Sequence, residues 1–148
     1  EKGGGFTLDL GVYPISLFFN LVNEDFSIKK IKIEFKKNYD VDLGGDLELE
    51  YSNGISYKAT WGLKKEYTNY LEIKTTNSVY KFPFIFTKSD ELDSYYIKTT
   101  NGKEEKIDIG NHDQFYLMYK NIFKKQPRKF ENNSSLINTY SLLFKLLE

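Results

Sequence analysis

The segment DLELEYSNGISYKATW, residues 46–61, restricts the fold more than any other part of the chain. Leu47, Leu49 and Tyr51 alternate with Glu48 and Glu50. Asn53-Gly54 then supplies a tight turn, and Ile55, Tyr57, Ala59 and Trp61 repeat the alternation on the return. A period of two on both sides of an Asn-Gly pair predicts a β-hairpin with one buried face and one wet face. The same pattern recurs. IKKIKIEFKK sets Ile31, Ile33 and Phe35 against Lys32, Glu34 and Lys36. YLEIKTT (70–76) and SVYKFPF (78–84) form a pair bent at Asn77-Ser78, and SYYIKTTNGKEEKIDI (94–109) folds back at Asn101-Gly102.

Helices flank these strands. Apolar residues fill two stripes of a predicted helix over Phe6 to Val22: Phe6, Leu10, Leu17 and Leu21, and Leu8, Val12, Ile15, Phe19 and Val22. A helix apolar on most sides is buried on most sides. Its polar residues, Asp9, Tyr13, Ser16 and Asn20, share the remaining face. Gly11 and Pro14 are poor in a helix interior, so a bend or a late start near Gly11 is expected. Two more helices close the chain. One runs from His112 to Phe123 with Phe115, Met118, Tyr119 and Ile122 on one side, the other from Ser135 to Leu147 with Leu136, Tyr140, Leu143 and Leu147. The order predicts an α+β fold, a mostly antiparallel sheet with helices on one face. The other face is open and charged, carrying Lys32, Glu34, Lys36, Glu48, Glu50, Lys58, Glu72, Lys74 and Lys98. At 148 residues with 40% hydrophobic and 28% charged side chains, the chain reads as one domain, residues 1–148.

Composition removes several function classes. Basic and acidic side chains balance at 21 each, which argues against bulk electrostatic binding of nucleic acid. Without cysteine there is no disulfide, thiolate metal site or cysteine nucleophile, and the single histidine, His112, excludes a multi-histidine centre; no metal is expected. No apolar run reaches the roughly 18 residues of a membrane span, and EKGGG is not a signal peptide, so no membrane association and a cytoplasmic location are expected. The first residue is not Met, so the chain is expected to be a processed or cut piece of a longer one.

Few residues read as chemistry. Gly3-Gly4-Gly5 lacks the spacing and the Lys-Ser/Thr of a P-loop and is not GxGxxG after a strand. His112-Asp113 has no GxSxG partner. The acidic pairs Asp40/Asp42 and Glu104/Glu105 read as solvated charge, with no metal-ligand spacing. Asp9 and Tyr13 differ. A carboxylate on a mostly apolar helix needs a partner, and Tyr13 sits one turn away. The two form either a catalytic pair or a buried structural one; a tyrosine, with an ordinary pKa near 10, needs a nearby cation to serve as a base at neutral pH.

GGGFTLDLGVYPISL resembles the opening of the substrate domain in the glucose-fructose oxidoreductase / inositol dehydrogenase (Gfo/Idh/MocA) family, whose GGG-x-L-x-D-x-G-x-(H/Y) helix lines the active site. VDLGGDLELEYSNGISYKATW is similar to that family's Val-Asp, strand, Asn-Gly turn and strand; YLEIKTTNSVYKFPF and SLINTYSLLFKLLE resemble its next strand pair and closing helix. The resemblance implies a C-terminal α+β substrate domain of a two-domain oxidoreductase, with NAD or NADP bound mainly by an N-terminal Rossmann domain absent from these residues. It implies catalytic roles for Asp9 and Tyr13, with Tyr13 where many members carry His, and places Gly4 and Gly5 beside the cofactor. The implied reaction moves a hydride between nicotinamide and a hydroxyl or carbonyl carbon of a sugar or polyol derivative, assisted by a Lys of a Glu-Lys-Pro motif in the other domain.

The chain departs from the family pattern in three ways. It has no dinucleotide fingerprint, so alone it is expected to be inactive. Its leading Glu-Lys is followed by Gly3, not Pro, and the family domain's first strand and helix are expected upstream of residue 1. The family pairs subunits through the open sheet face, so the chain is expected either as a homodimer there held by Lys–Glu pairs or as a monomeric fragment. The alternatives are a non-catalytic sensor or oligomerisation domain that keeps the fold and, from the 17% aromatic content, a carbohydrate-binding module.

Overall fold

The computed structural model describes residues 4–21, 25–63, 67–89, 91–111, 113–123 and 134–147. Gly3, Val22 and His112 lie outside these, as do the side chains of Phe115, Met118 and Ile122. In chain order the elements are a π-helical segment Thr7–Gly11, α1 Val12–Leu21, β1 Phe26–Phe35, β2 Asp42–Tyr51, β3 Ser56–Gly62, β4 Leu71–Lys74, β5 Ser78–Phe82, β6 Ser94–Thr100, β7 Lys103–Gly110, α2 Gln114–Phe123 and α3 Ser134–Leu147. The expected α+β class and antiparallel pairing hold, with the strands divided into two sheets, β1-β2-β3 and β4-β5-β6-β7. The chain groups into two compact units, Glu1–Lys65 with Phe130–Glu148, and Glu66–Lys129. Among the described residues no helix is long and apolar enough to cross a membrane.

In the first unit the Asn53-Gly54 hairpin forms as expected, with the Gly54 N–H donating to Tyr51 O at 2.9 Å. β2 pairs with β3 through Leu47↔Ala59 and Leu49↔Tyr57, and with β1 through Ile28↔Leu49 and Ile33↔Gly45. The inward residues Leu47, Leu49, Tyr51, Ala59 and Trp61 pack with Ile15 and Phe18 of α1 and Leu142, Leu143 and Leu146 of α3. Burial of each large apolar side chain contributes about 1.5–3 kcal/mol, and this cluster is the source of the unit's stability. Phe18 lies at its centre, stacked on Tyr51 at 4.8 Å between ring centroids and edge-on to Phe26 at 4.9 Å. The Tyr51 and Tyr57 hydroxyls donate to the Phe18 and Pro14 carbonyls of α1 at 3.1 and 2.7 Å, so both phenols are satisfied inside the core. Burial pushes the Tyr51 phenol up to about 12, and burial together with Tyr51 pushes Tyr57 up as well.

The outer face of this sheet is charged, as expected. Glu48 bridges Lys58 at 3.3 Å and Lys30 at 3.9 Å, and Lys29 pairs with Glu50. Such exposed pairs add little stability, but lysines on β1 discourage a further strand from pairing with it. A register shift between Glu34 and Phe35 sets Phe35 opposite Asp42 and leaves it exposed, although its alternation predicts an inward side chain.

The buried stripes of the two longer helices share only Ile15 and Leu143 with those predicted. The π segment and α1 bury Thr7, Gly11, Ile15 and Phe18, and α3 buries Thr139, Leu142, Leu143 and Leu146, whereas Leu136, Tyr140 and Leu147 are exposed. A helix with apolar residues all round offers several near-equivalent faces, and the facing sheet selects among them.

In the second unit the hairpin at Asn101-Gly102 and the bend before Ser78 form as expected. Strand register sets Tyr80, Phe82 and Tyr96 on one face, with Phe82 and Tyr96 stacked at 5.3 Å. Lys98, opposite Tyr80, belongs to that aromatic face and not to the charged one carrying Glu72 and Lys81. Hydrogen bonding to Lys74, with the charges of Lys74 and Lys81, holds the Glu72 carboxyl below its usual range. Asn69 is the buried residue of this unit among those described; its amide donates to Thr87 O at 2.6 Å and accepts the Phe86 N–H at 3.0 Å.

Candidate active site

The chain enters its first helix through Gly4 and Gly5, at φ +104° and +113°. A Cβ on Gly5 would run into the Asp42 carboxylate, so this position requires glycine for both conformation and space. Asp42 is buried at 3% exposure, which corrects its reading as solvated charge. Its Oδ2 accepts both the backbone N–H and the hydroxyl of Thr7, each at 2.7 Å. The Thr7 hydroxyl in turn accepts the Trp61 indole N–H at 3.0 Å. A carboxylate at the start of a helix meets unpaired N–H groups and the positive end of the helix dipole, which is how the fold accommodates a buried charge here.

Beyond Thr7 the backbone takes the wide π turn, and Gly11 lies against the Trp61 indole, where an added Cβ would come within 2.9 Å of Cε2. Pro14 cannot donate an N–H to the preceding turn, which relieves the demand for regular α-helical bonds there. The result is a helix start fixed on its inner side by Thr7 and Gly11.

Asp9 and Tyr13 project from the opposite, outer side, and both are exposed. The expectation that Asp9 needs a buried partner is therefore corrected: its side chain is in water and carries no burial cost. The structure thus places the two residues on one accessible face of a single helix, one turn apart. That arrangement can hydrogen-bond a hydroxyl or carbonyl through a carboxylate and a phenol. Gly4 is exposed with open space where a Cβ would stand, whereas Gly5 is half-buried against Asp42.

Asp113, considered beside His112, caps α2 by accepting the Tyr116 N–H at 2.9 Å. Among the described residues no group of three or more His, Cys, Asp or Glu side chains could hold a metal ion. A cleft of about 570 Å³ between α1, β1 and α3, lined by Phe19, Phe26, Ile28, Leu142, Asn138 and Lys145 among others, includes neither Asp9 nor Tyr13. Sequence reasoning missed the anchor of Thr7, Asp42 and Trp61. A signal for it was present in the Val-Asp that precedes the Leu43-Gly44-Gly45 start of the central strand.

No family model matches the chain. It is 26% identical over 115 residues to the dTDP-3,4-didehydro-2,6-dideoxy-alpha-D-glucose 3-reductase of Actinomadura kijaniata, a match covering 78% of this chain and 35% of that protein. The crystal structure of a variant of KijD10, a 3-ketoreductase from the same organism in complex with TDP-benzene and NADP, superposes with a TM-score of 0.83 at 23% identity, covering 96% of this chain and 46% of the other. The Bacillus subtilis protein yvaA, assigned as an oxidoreductase, has a TM-score of 0.70 at 15% identity, covering 99% of this chain and 48% of the other. The chain therefore spans between about a third and a half of the length of these proteins. The resemblance read from the GGG-led helix is upheld: the chain is homologous, over part of its length, to a sugar 3-ketoreductase of the Gfo/Idh/MocA type.

Proposed function

We propose that these residues form the C-terminal substrate-binding and catalytic domain of an NAD(P)-dependent oxidoreductase acting on a sugar derivative. The observation that carries this reading is the accessible pairing of Asp9 and Tyr13 on one face of the GGG-led helix. The homology to a sugar-nucleotide 3-reductase supports it, and the π-helical turn that bears Asp9, a feature frequent at functional sites, agrees with it.

In the reductive direction Asp9 accepts a hydrogen bond from a substrate hydroxyl and orients the ring. The Tyr13 phenol donates its proton to the carbonyl oxygen, which becomes the product hydroxyl. Bound nicotinamide would supply the hydride to the carbonyl carbon. A tyrosine needs a cation to lower its pKa for the reverse direction, a role assigned to a lysine of the dinucleotide-binding part. The open side of Gly4 and the backbone of Gly5 would lie against the cofactor, which is held mainly outside these residues. The NADP in the KijD10 complexes favours NADP over NAD, and their TDP ligand favours a nucleotide-linked sugar over a free polyol. The chain without its dinucleotide-binding part turns nothing over.

The test is NADPH oxidation by the full-length protein with a TDP-linked 3-keto-deoxysugar, using NADPH deuterated at C4. Deuterium at the reduced sugar carbon is the expected result. A folded full-length protein that neither binds nor oxidises NADPH, with this or other keto sugars, would turn the assignment toward a sensor or assembly domain.

A further inference from the structure

Asp42 is buried, charged and distant in sequence from the helix it touches, and the reaction proposed above makes no direct use of it. Its Oδ2 takes two hydrogen bonds from one residue, Thr7, which stands two positions before Asp9. Trp61, on the neighbouring strand β3, locks the same hydroxyl from the other side, and its ring also backs Gly11, two positions after Asp9. The Asp9 N–H is bonded to Gly5 O at 3.1 Å, and Gly5 is the residue that the Asp42 carboxylate crowds. The residue that accepts the Asp9 N–H, Gly5, and the residues two positions to either side of Asp9, Thr7 and Gly11, therefore all lie against Asp42 or Trp61.

We propose that Asp42 is a positioning residue: acting through Thr7 and with Trp61, it fixes the π-helical turn so that Asp9 and Tyr13 meet the substrate in reactive geometry. The inference rests on the catalytic reading of Asp9 and Tyr13. It goes beyond that reading by assigning rate control to a carboxylate that touches neither substrate nor cofactor. Catalysis is sensitive to misplacement on this scale, because an ångström of displacement in a positioned group can cost on the order of 100-fold in rate.

The experiment compares Asp42→Asn, Thr7→Val and Thr7→Ser in the full-length protein with NADPH and the TDP-linked 3-keto-deoxysugar. Asp42→Asn keeps the shape but loses the charge; Thr7→Val keeps the shape but loses the hydroxyl; Thr7→Ser keeps the hydroxyl. Turnover under saturating substrate is expected to fall by about 10-fold or more in Asp42→Asn and Thr7→Val, with KM and NADPH affinity little changed. Thr7→Ser restores most of the rate lost in Thr7→Val. Amide exchange accelerates at Thr7 to Gly11 in the two impaired proteins, while the β2–β3 hairpin stays protected. If Asp42→Asn does not fold, the Thr7 pair decides. Unchanged turnover in folded Asp42→Asn, or equal losses for Thr7→Val and Thr7→Ser, overturns the proposal. Tyr13→Phe separates the two claims. If Tyr13→Phe loses activity while Asp42→Asn does not, positioning fails and the site stands. If Tyr13→Phe is fully active, the site reading fails and positioning falls with it.

Discussion

The two compact units solve the same problem, covering an antiparallel sheet, to very different extents. In the first, two helices close over β1–β3, and every buried apolar residue among those described lies there. In the second, β4 to β6 are half-buried along most of their length, β7 is largely exposed, and the residue that is buried among those described is a polar one, Asn69. The first unit is held by apolar burial around Phe18, the second by ladder hydrogen bonds, side-chain stacking and the Asn69 amide. The helix bearing Asp9 and Tyr13 belongs to the first. A proposed catalytic pair thus stands at the surface of the part of the molecule with the densest core, as precise positioning demands.

The contrast breaks most readily at Phe18. Phe18→Ala removes the ring on which Tyr51 stacks, and a loss of about 3–5 kcal/mol is expected. Trp61, the only tryptophan, lies in this core, so its fluorescence during urea unfolding reports the change directly. Phe82→Ala in the second unit, a half-buried ring against Tyr96, is expected to cost about 1 kcal/mol. Equal losses at the two positions would remove the distinction.

Alkali tests the buried phenols of the first unit. Below about pH 10 the phenols of Tyr51 and Tyr57 are protonated in both folded and unfolded chains, and their contribution is fully present. Above it the unfolded phenols ionise while burial keeps the folded ones neutral, so stability falls as pH rises toward and through about 12. The urea midpoint should drop between pH 9 and pH 11.5, and the Tyr51→Phe, Tyr57→Phe double variant should lose much of that slope. A flat profile in the unsubstituted chain would show that the phenols are not shielded. The smallest effect is expected at Glu72. Its carboxyl is held low by hydrogen bonding to Lys74 and by the charges of Lys74 and Lys81, but both lysines are exposed and screened, so Glu72→Gln should leave the urea midpoint unchanged in 0.5 M salt.

Local grammar made much of this fold legible. The turns at Asn53-Gly54 and Asn101-Gly102, the alternation of Leu47, Leu49 and Tyr51, and the charged outer placement of Glu48 and Lys58 follow from residue order alone. What escaped it depends on partners distant in sequence. The division of the strands into two sheets is decided by pairing between segments with no local signature. The buried stripes of α1 and α3 are chosen by the sheet beneath them, not by the helices, which are apolar on several sides. Asp42 looked like loop charge because a buried carboxylate is recognised only once its donors, Thr7 N–H and Oγ1, are seen. Asp9 and Tyr13 were legible as a pair from their spacing and the GGG-led motif, but their exposure was not, because spacing fixes a shared face and not which way that face points.

The most direct test of the account is Tyr13→Phe in the full-length protein, with single-turnover NADPH oxidation and NADPH affinity measured side by side. The account predicts a loss of about 100-fold or more in the chemical step, the scale of positioned proton transfer, with the NADPH dissociation constant unchanged. An unaltered rate in a folded variant would contradict it and leave Asp9 and Tyr13 as surface residues of a domain with another task.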